Sequence, residues 1–119
     1  MAHVLVVDDD AGVRSLVRLS LELEGHEVVG EAADGSEALA MTRAHRPDVV
    51  VLDMMMPGKN GADVLRAFSH CETTSRPKVV PYSASPTHLE LAGELGADGA
   101  VLKSGDMSDL LTVIAGWAA

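Results

Sequence analysis

Six side chains in this sequence sit where chemistry is done. Asp8, Asp9 and Asp10 end the run VLVVDDD, Asp53 ends DVVVLD, Ser83 ends VVPYS and Lys103 ends AVLK. Each follows a short apolar stretch. Crowded carboxylates repel one another and lose solvation, so a strand that finishes in three acids either ends in open solvent or meets a cation. Oxygen-only, carboxylate-rich sites suit a hard cation such as Mg²⁺ (or Mn²⁺), which takes one or two carboxylates and keeps several waters. A carboxylate is also a nucleophile toward phosphorus and yields an aspartyl-phosphate. Such transfer needs mainly positioning and charge neutralisation, which a divalent cation and a lysine supply, while a hydroxyl can bond a phosphoryl oxygen. Asp53 is the best nucleophile, because the loop MMMPGKNG after it carries Pro57, Gly58 and Gly61, which shape a tight turn around its carboxylate.

Taken singly, each residue has a plainer reading. Asp10 reads as an exposed acid or as a helix N-cap before Ala11. Ser83 reads as a strand-end hydroxyl bonding its own backbone, and Lys103 as a surface lysine. Met54–Met56 reads as adaptable packing, Trp117 as a core or interface anchor, and Glu90 with Glu94 as a solvated helix face. The conjunction at the ends of adjacent strands makes the plain readings of Asp10, Ser83 and Lys103 improbable.

The elements that must position these residues follow from periodicity. Strands are predicted over residues 4–7, 27–31, 48–53, 79–82 and 99–102, from short apolar β-branched runs. Helices are predicted over 11–24, 36–45, 61–68 and 87–95, and a last one carries Leu110, Val113, Ile114 and Trp117. On the first helix the apolar positions are Val13, Leu16, Val17 and Leu21. Residues 69–76 read as a polar loop. Regular β–α alternation predicts a doubly wound parallel five-stranded sheet with helices on both faces, in one domain spanning 1–119. Such sheets bind ligands beyond the carboxyl ends of their strands, where the six residues fall.

Bulk properties exclude several classes. A net charge of −9 argues against nucleic acid or an anionic membrane as a direct partner, because both demand basic patches. The single cysteine, Cys71, permits no internal disulfide. No apolar run has membrane-spanning length and no signal-peptide pattern opens the chain, so a cytoplasmic home is expected. The loop after the first strand, DDDAG, has one glycine where phosphate-cradling turns have several. The histidines at 3, 26, 45, 70 and 88 show no paired spacing for zinc.

In order and spacing, VLVVDDD, LDMMMPGKNG, YSAS and VLKSG resemble the receiver domain of two-component response regulators over essentially the whole chain. The resemblance implies a flavodoxin-like (βα)5 fold with strand order 2-1-3-4-5. It implies that Asp53 accepts a phosphoryl group from a histidine kinase or a histidine phosphotransfer protein. Mg²⁺ would be held by Asp9, Asp53 and the backbone carbonyl of Met55, with Asp8 acting mostly through water. Lys103 would contact the phosphoryl group, and Ser83 would bond it and move on activation. The domain would not be an enzyme in the ordinary sense, though it assists its own phosphorylation and dephosphorylation. Downstream partners implied are an effector and a homodimer through the fourth helix, fifth strand and fifth helix. Two competing functions are an interaction module never controlled by phosphorylation, and a small-molecule phosphotransferase or phosphatase. The intact site disfavours the first, and the lack of a cap domain or substrate pocket disfavours the second.

Three departures lie on the signalling side. Ser104 follows Lys103 where the family commonly has a proline joined by a cis bond. Ala100 stands where the family usually has Tyr or Phe. Pro81 lies inside a strand expected to be interior, where it removes a donor. Either phosphorylation then shifts the switch only weakly, or the signal leaves through the start of the fourth helix, residues 85–88, or through Tyr82, and the second is favoured because the complete phosphorylation set would otherwise serve no output.

Overall fold

The computed structural model describes residues 1–70, 76–104 and 107–118. Elements alternate as β1 (His3–Val7), α1 (Ala11–Leu23), β2 (Glu27–Ala32), α2 (Gly35–His45), β3 (Val49–Leu52), α3 (Gly61–Ser69), β4 (Lys78–Ser83), α4 (Pro86–Glu94), β5 (Val101–Leu102) and α5 (Ser108–Trp117). The strands form one parallel sheet in the order β2-β1-β3-β4-β5. Cys71 and most of the expected loop lie outside the described residues.

Two cores flank the sheet. Leu5, Val7, Val50, Leu52 and Val79 point to one face and pack with Ala38, Val64, Leu65, Phe68 and Ala92 from α2, α3 and α4. Val4, Val6, Val49, Val51, Val80, Tyr82 and Val101 point to the other and pack with Val17, Leu21, Leu110 and Ile114 from α1 and α5. Central strands buried on both sides account for the unbroken apolar runs. Met54 and Met56 join the first core, while Met55 is exposed. Trp117 packs half-buried against the second.

Local signals set the helix starts. The Asp10 carboxylate accepts the N–H groups of Gly12 and Val13, so it is the N-cap of α1. Asn60 and Asp63 form a reciprocal capping box at α3. Ser85 caps α4, and Pro86 opens it one residue earlier than periodicity suggested. On α1 only part of the expected apolar face is buried. Val17 and Leu21 are inside, whereas Leu16 joins Leu19 and Leu23 in an exposed stripe.

The largest departure is β5, which begins at Val101 and not at residue 99. The Asp98 and Gly99 N–H groups both donate to the Val79 carbonyl. The Asp98 carboxylate takes the Val79 N–H at 2.8 Å, where a strand carbonyl would otherwise serve. Pro81, next on the same edge of β4, has no N–H to give. Ladder pairing therefore starts only at Tyr82 with Val101 and Ser83 with Leu102. Ala100, just before β5, is exposed. No cis peptide bond occurs among the described residues, including Lys103–Ser104.

Candidate functional site

The carboxyl ends of β1 and β3 are locked side by side. Asp8 N–H donates to Ala32 C=O at 3.0 Å and Asp53 N–H donates to Val7 C=O at 2.9 Å. Arg14 Nη1, one turn into α1, donates to the Asp8 carbonyl at 2.7 Å, and its Nε pairs with Glu31 at 3.3 Å. The backbone that carries both acids is thus held from three directions.

These constraints bring Asp8, Asp9 and Asp53 into one cluster, each offering a carboxylate oxygen within 4.8 Å of the others. Asp8 and Asp53 are 3% and 5% exposed, and Asp9 is exposed. Asp8 Oδ1 accepts the Asp10 N–H at 2.9 Å, and its Oδ2 accepts Lys103 Nζ at 2.7 Å. Lys103 Nζ also lies 3.8 Å from Asp53 Oδ1. Asp53 Oδ1 accepts the Met55 N–H at 3.1 Å. Asp10, occupied at its helix, is not part of the cluster.

Burial first, and then the Asp8 charge, push the Asp53 carboxyl up to about 6, against the pull of the Met55 N–H and Lys103. For Lys103, burial works to lower the ammonium's pKa. The Asp8 hydrogen bond and the Asp53 and Asp8 charges outweigh it, and the net direction is up. Three carboxylates facing one ammonium leave net negative charge in a confined space. The donors are all hard oxygens, so the residues fit a divalent cation of the Mg²⁺ kind.

The loop after Asp53 is shaped by glycine at two points. Gly58 has φ of +70°, which side chains rarely adopt. A Cβ at Gly61 would stand 2.6 Å from the Asp53 carbonyl and 2.7 Å from Met54 Cα, so α3 can begin this close to Asp53 only at a glycine.

Ser83 is 1% exposed at the end of β4, one strand over from Asp53. Its carbonyl accepts the Lys103 N–H at 2.8 Å. Its hydroxyl accepts the Ser85 N–H at 3.1 Å, the plain role a strand-end serine has. Ser85 Oγ in turn accepts the His88 N–H at 3.3 Å and lies 2.7 Å from His88 Nδ1. A chain of bonds thus runs from Ser83 into the first turn of α4. Sequence reasoning missed Arg14, Asp98 and the ring of Tyr82 beneath Lys103. Nothing in a single sequence pairs an arginine with a carbonyl six residues back, or a carboxylate with an amide nineteen back.

An open parallel α/β sheet with a lysine-gated acidic cluster at the ends of β1 and β3 defines a class of protein. Residues 4–115 match the Response regulator receiver domain, and the chain belongs to that family. Among curated relatives, it is 37% identical over 113 residues to the transcriptional regulatory protein PdtaR of Mycobacterium tuberculosis, covering 94% of this chain and 54% of that protein. The chain spans about half the length of such relatives. The receiver domain of the putative response regulator NarL from M. tuberculosis superposes with a TM-score of 0.88 at 37% identity, covering 98% of this chain and 95% of that one. TrrA from Thermotoga maritima, solved in complex with Mg²⁺–BeF, superposes with a TM-score of 0.87 at 30% identity, covering 98% and 99%. No helix among the described residues is long and apolar enough to cross a membrane.

Proposed function

We propose that this chain, as a single receiver unit over 1–119, is a Mg²⁺-dependent phospho-acceptor switch in two-component signalling. Its donor is a histidine kinase or histidine phosphotransfer protein in the cytoplasm. The observation that carries this reading is the buried Asp53 carboxylate, with Lys103 Nζ at 3.8 Å and the oxygens of Asp8 and Asp9 within 4.8 Å.

An Asp53 carboxylate oxygen attacks the phosphorus of a phosphohistidine. The O–P bond forms and the P–N bond breaks. The imidazole nitrogen keeps the electron pair and takes up a proton from solvent. Asp9, Asp53 and the Met55 carbonyl would hold a divalent cation, with Asp8 mostly through water, and that cation would supply positive charge against the phosphoryl oxygens. Lys103 passes from Asp8 to those oxygens and supplies the remaining positive charge. A bound cation would pull the Asp53 carboxyl down from about 6, the value its burial gives it even beside Lys103, and so would favour the ionised nucleophile further.

The Ser83 hydroxyl then turns to a phosphoryl oxygen and gives up the Ser85 N–H. Ser85 caps α4 and is tied to His88, so this loss loosens the first turn of α4. That route replaces the aromatic that position 100 lacks. The altered α4–β5–α5 side is where an effector or a second copy of the chain docks.

Incubation with acetyl phosphate and Mg²⁺, read by intact mass, tests the reading. One phosphoryl adduct is expected, absent without Mg²⁺ and absent in Asp53→Asn. The same adduct in Asp53→Asn refutes the assignment, and no adduct on the wild type favours an interaction module without phosphorylation.

A further inference from the structure

The sheet gives Lys103 little support. β5 places two residues in the ladder, and Lys103 is the first beyond them, its N–H donating to the Ser83 carbonyl. From there a flexible four-carbon stem carries the ammonium into the cluster, and such a stem needs orienting. Asp8 Oδ2 at 2.7 Å is one orienting group. The face of Tyr82 is the other, with its ring centroid 5.5 Å from Nζ. That ring is buried in the same core cluster as Val80, Val101 and Leu110. It is the only tyrosine of the chain, and it stands opposite Val101 on the strand beside Lys103, while position 100 carries alanine.

We propose that Tyr82 is a positioning residue for the phosphoryl-transfer site, its ring face holding the Lys103 ammonium between Asp8 and Asp53. The inference rests on Asp53 being the acceptor. An ammonium that leaves Asp8 for a phosphoryl oxygen must stay desolvated and oriented while it changes partners. A neutral ring attracts the cation through its quadrupole without adding an anion that would compete for it. The attraction varies smoothly with position, so it persists as Nζ shifts across the site. The Asp8 carboxylate holds the ammonium at one end of that path and the phosphoryl oxygen at the other, and the ring supports it throughout.

Lysine-labelled protein tests this directly, because the chain has three lysines, Lys59, Lys78 and Lys103. Ring current should move the Lys103 side-chain proton signals upfield of the other two. Tyr82→Phe keeps the ring face and should keep both that shift and the phosphorylation rate within about twofold. Tyr82→Leu should abolish the shift and slow phosphorylation by acetyl phosphate about five- to tenfold, with Mg²⁺ affinity unchanged. Lys103 signals coincident with those of Lys59 and Lys78 in the wild type would overturn the proposal, whatever the folding of the variants. So would a Leu variant phosphorylated at the wild-type rate, or a Phe variant as slow as Leu. Failure of the wild type to take up phosphate would strike the acceptor reading, and the lysine signals would still judge Tyr82.

Discussion

The two edges of the acidic cluster are built differently. At β1 and β3, four consecutive residues pair in register, both acid-bearing residues continue the ladder, and Arg14 braces the Asp8 carbonyl. At β4 and β5, two residues pair, Pro81 withholds a donor, and the Asp98 carboxylate stands in for backbone. The acid side is over-determined, and the lysine side is held by a few side-chain contacts. Chemistry that must place a nucleophile and a cation gains from rigidity, whereas an element that reports the chemistry must have a second arrangement within reach. The family departures at Pro81, Ala100 and Ser104 all fall on the looser side.

The rigid side can be broken electrostatically. Asp53 rises from 3.8 as a free side chain to about 6 in the fold, so between these values the native state binds more protons than the unfolded chain. Apo stability should therefore fall as pH rises from about 4 to 6 and stay reduced above that. Asp53→Asn removes the penalty. Denaturant unfolding in EDTA should show the variant about 2 kcal/mol more stable at pH 7, with the gain vanishing near pH 4. An equal gain at both pH values would mean that Asp53 carries no burial strain.

That strain was partly legible beforehand. The β-branched runs at 4–7 and 48–53 announce strands buried on both faces, and their acids converge once those strands are neighbours. Asp8, Asp9, Asp53 and Lys103 were readable because strand ends need no side-chain detail to be placed. The plain reading of Asp10 as an N-cap also holds, since capping is local. The short β5 was not readable. It depends on the direction in which Pro81 would have donated and on a carboxylate reaching Val79, and both are tertiary facts. Leu16 shares the apolar period of α1 and is nonetheless exposed, because period alone does not say how wide the buried face of a helix is.

The looser side can be sharpened at Asp98. Asp98→Ala leaves the Val79 N–H without its acceptor and removes the 3.6 Å ion pair with Arg76. The loss should be about 1–2 kcal/mol, and it should be local. Hydrogen exchange should quicken at Val101 and Lys103 and leave Val6, Val51 and Asp53 protected. Uniform loss across the sheet would erase the distinction between the two edges.

A smaller effect separates neighbouring acids. Asp9→Ala should weaken Mg²⁺ binding at least about tenfold, as expected for loss of one of few carboxylate ligands. Asp10→Ala should leave that affinity nearly unchanged and lower stability by about 1 kcal/mol through the lost cap. Calorimetry with equal losses of affinity in the two variants would contradict the division of roles.

Under the proposed function, a rigid acceptor site signals through α4 and not through position 100. Backbone NMR on adding beryllofluoride and Mg²⁺ tests this, because a phosphoryl mimic on Asp53 would engage Lys103 and Ser83 at the same time. Shifts are expected at the cluster, continuing along Tyr82, Ser85 and His88 into α4 and reaching Ser104, with small changes at Ala100. A rearrangement centred on Ala100, or changes confined to the cluster residues, would contradict this reading.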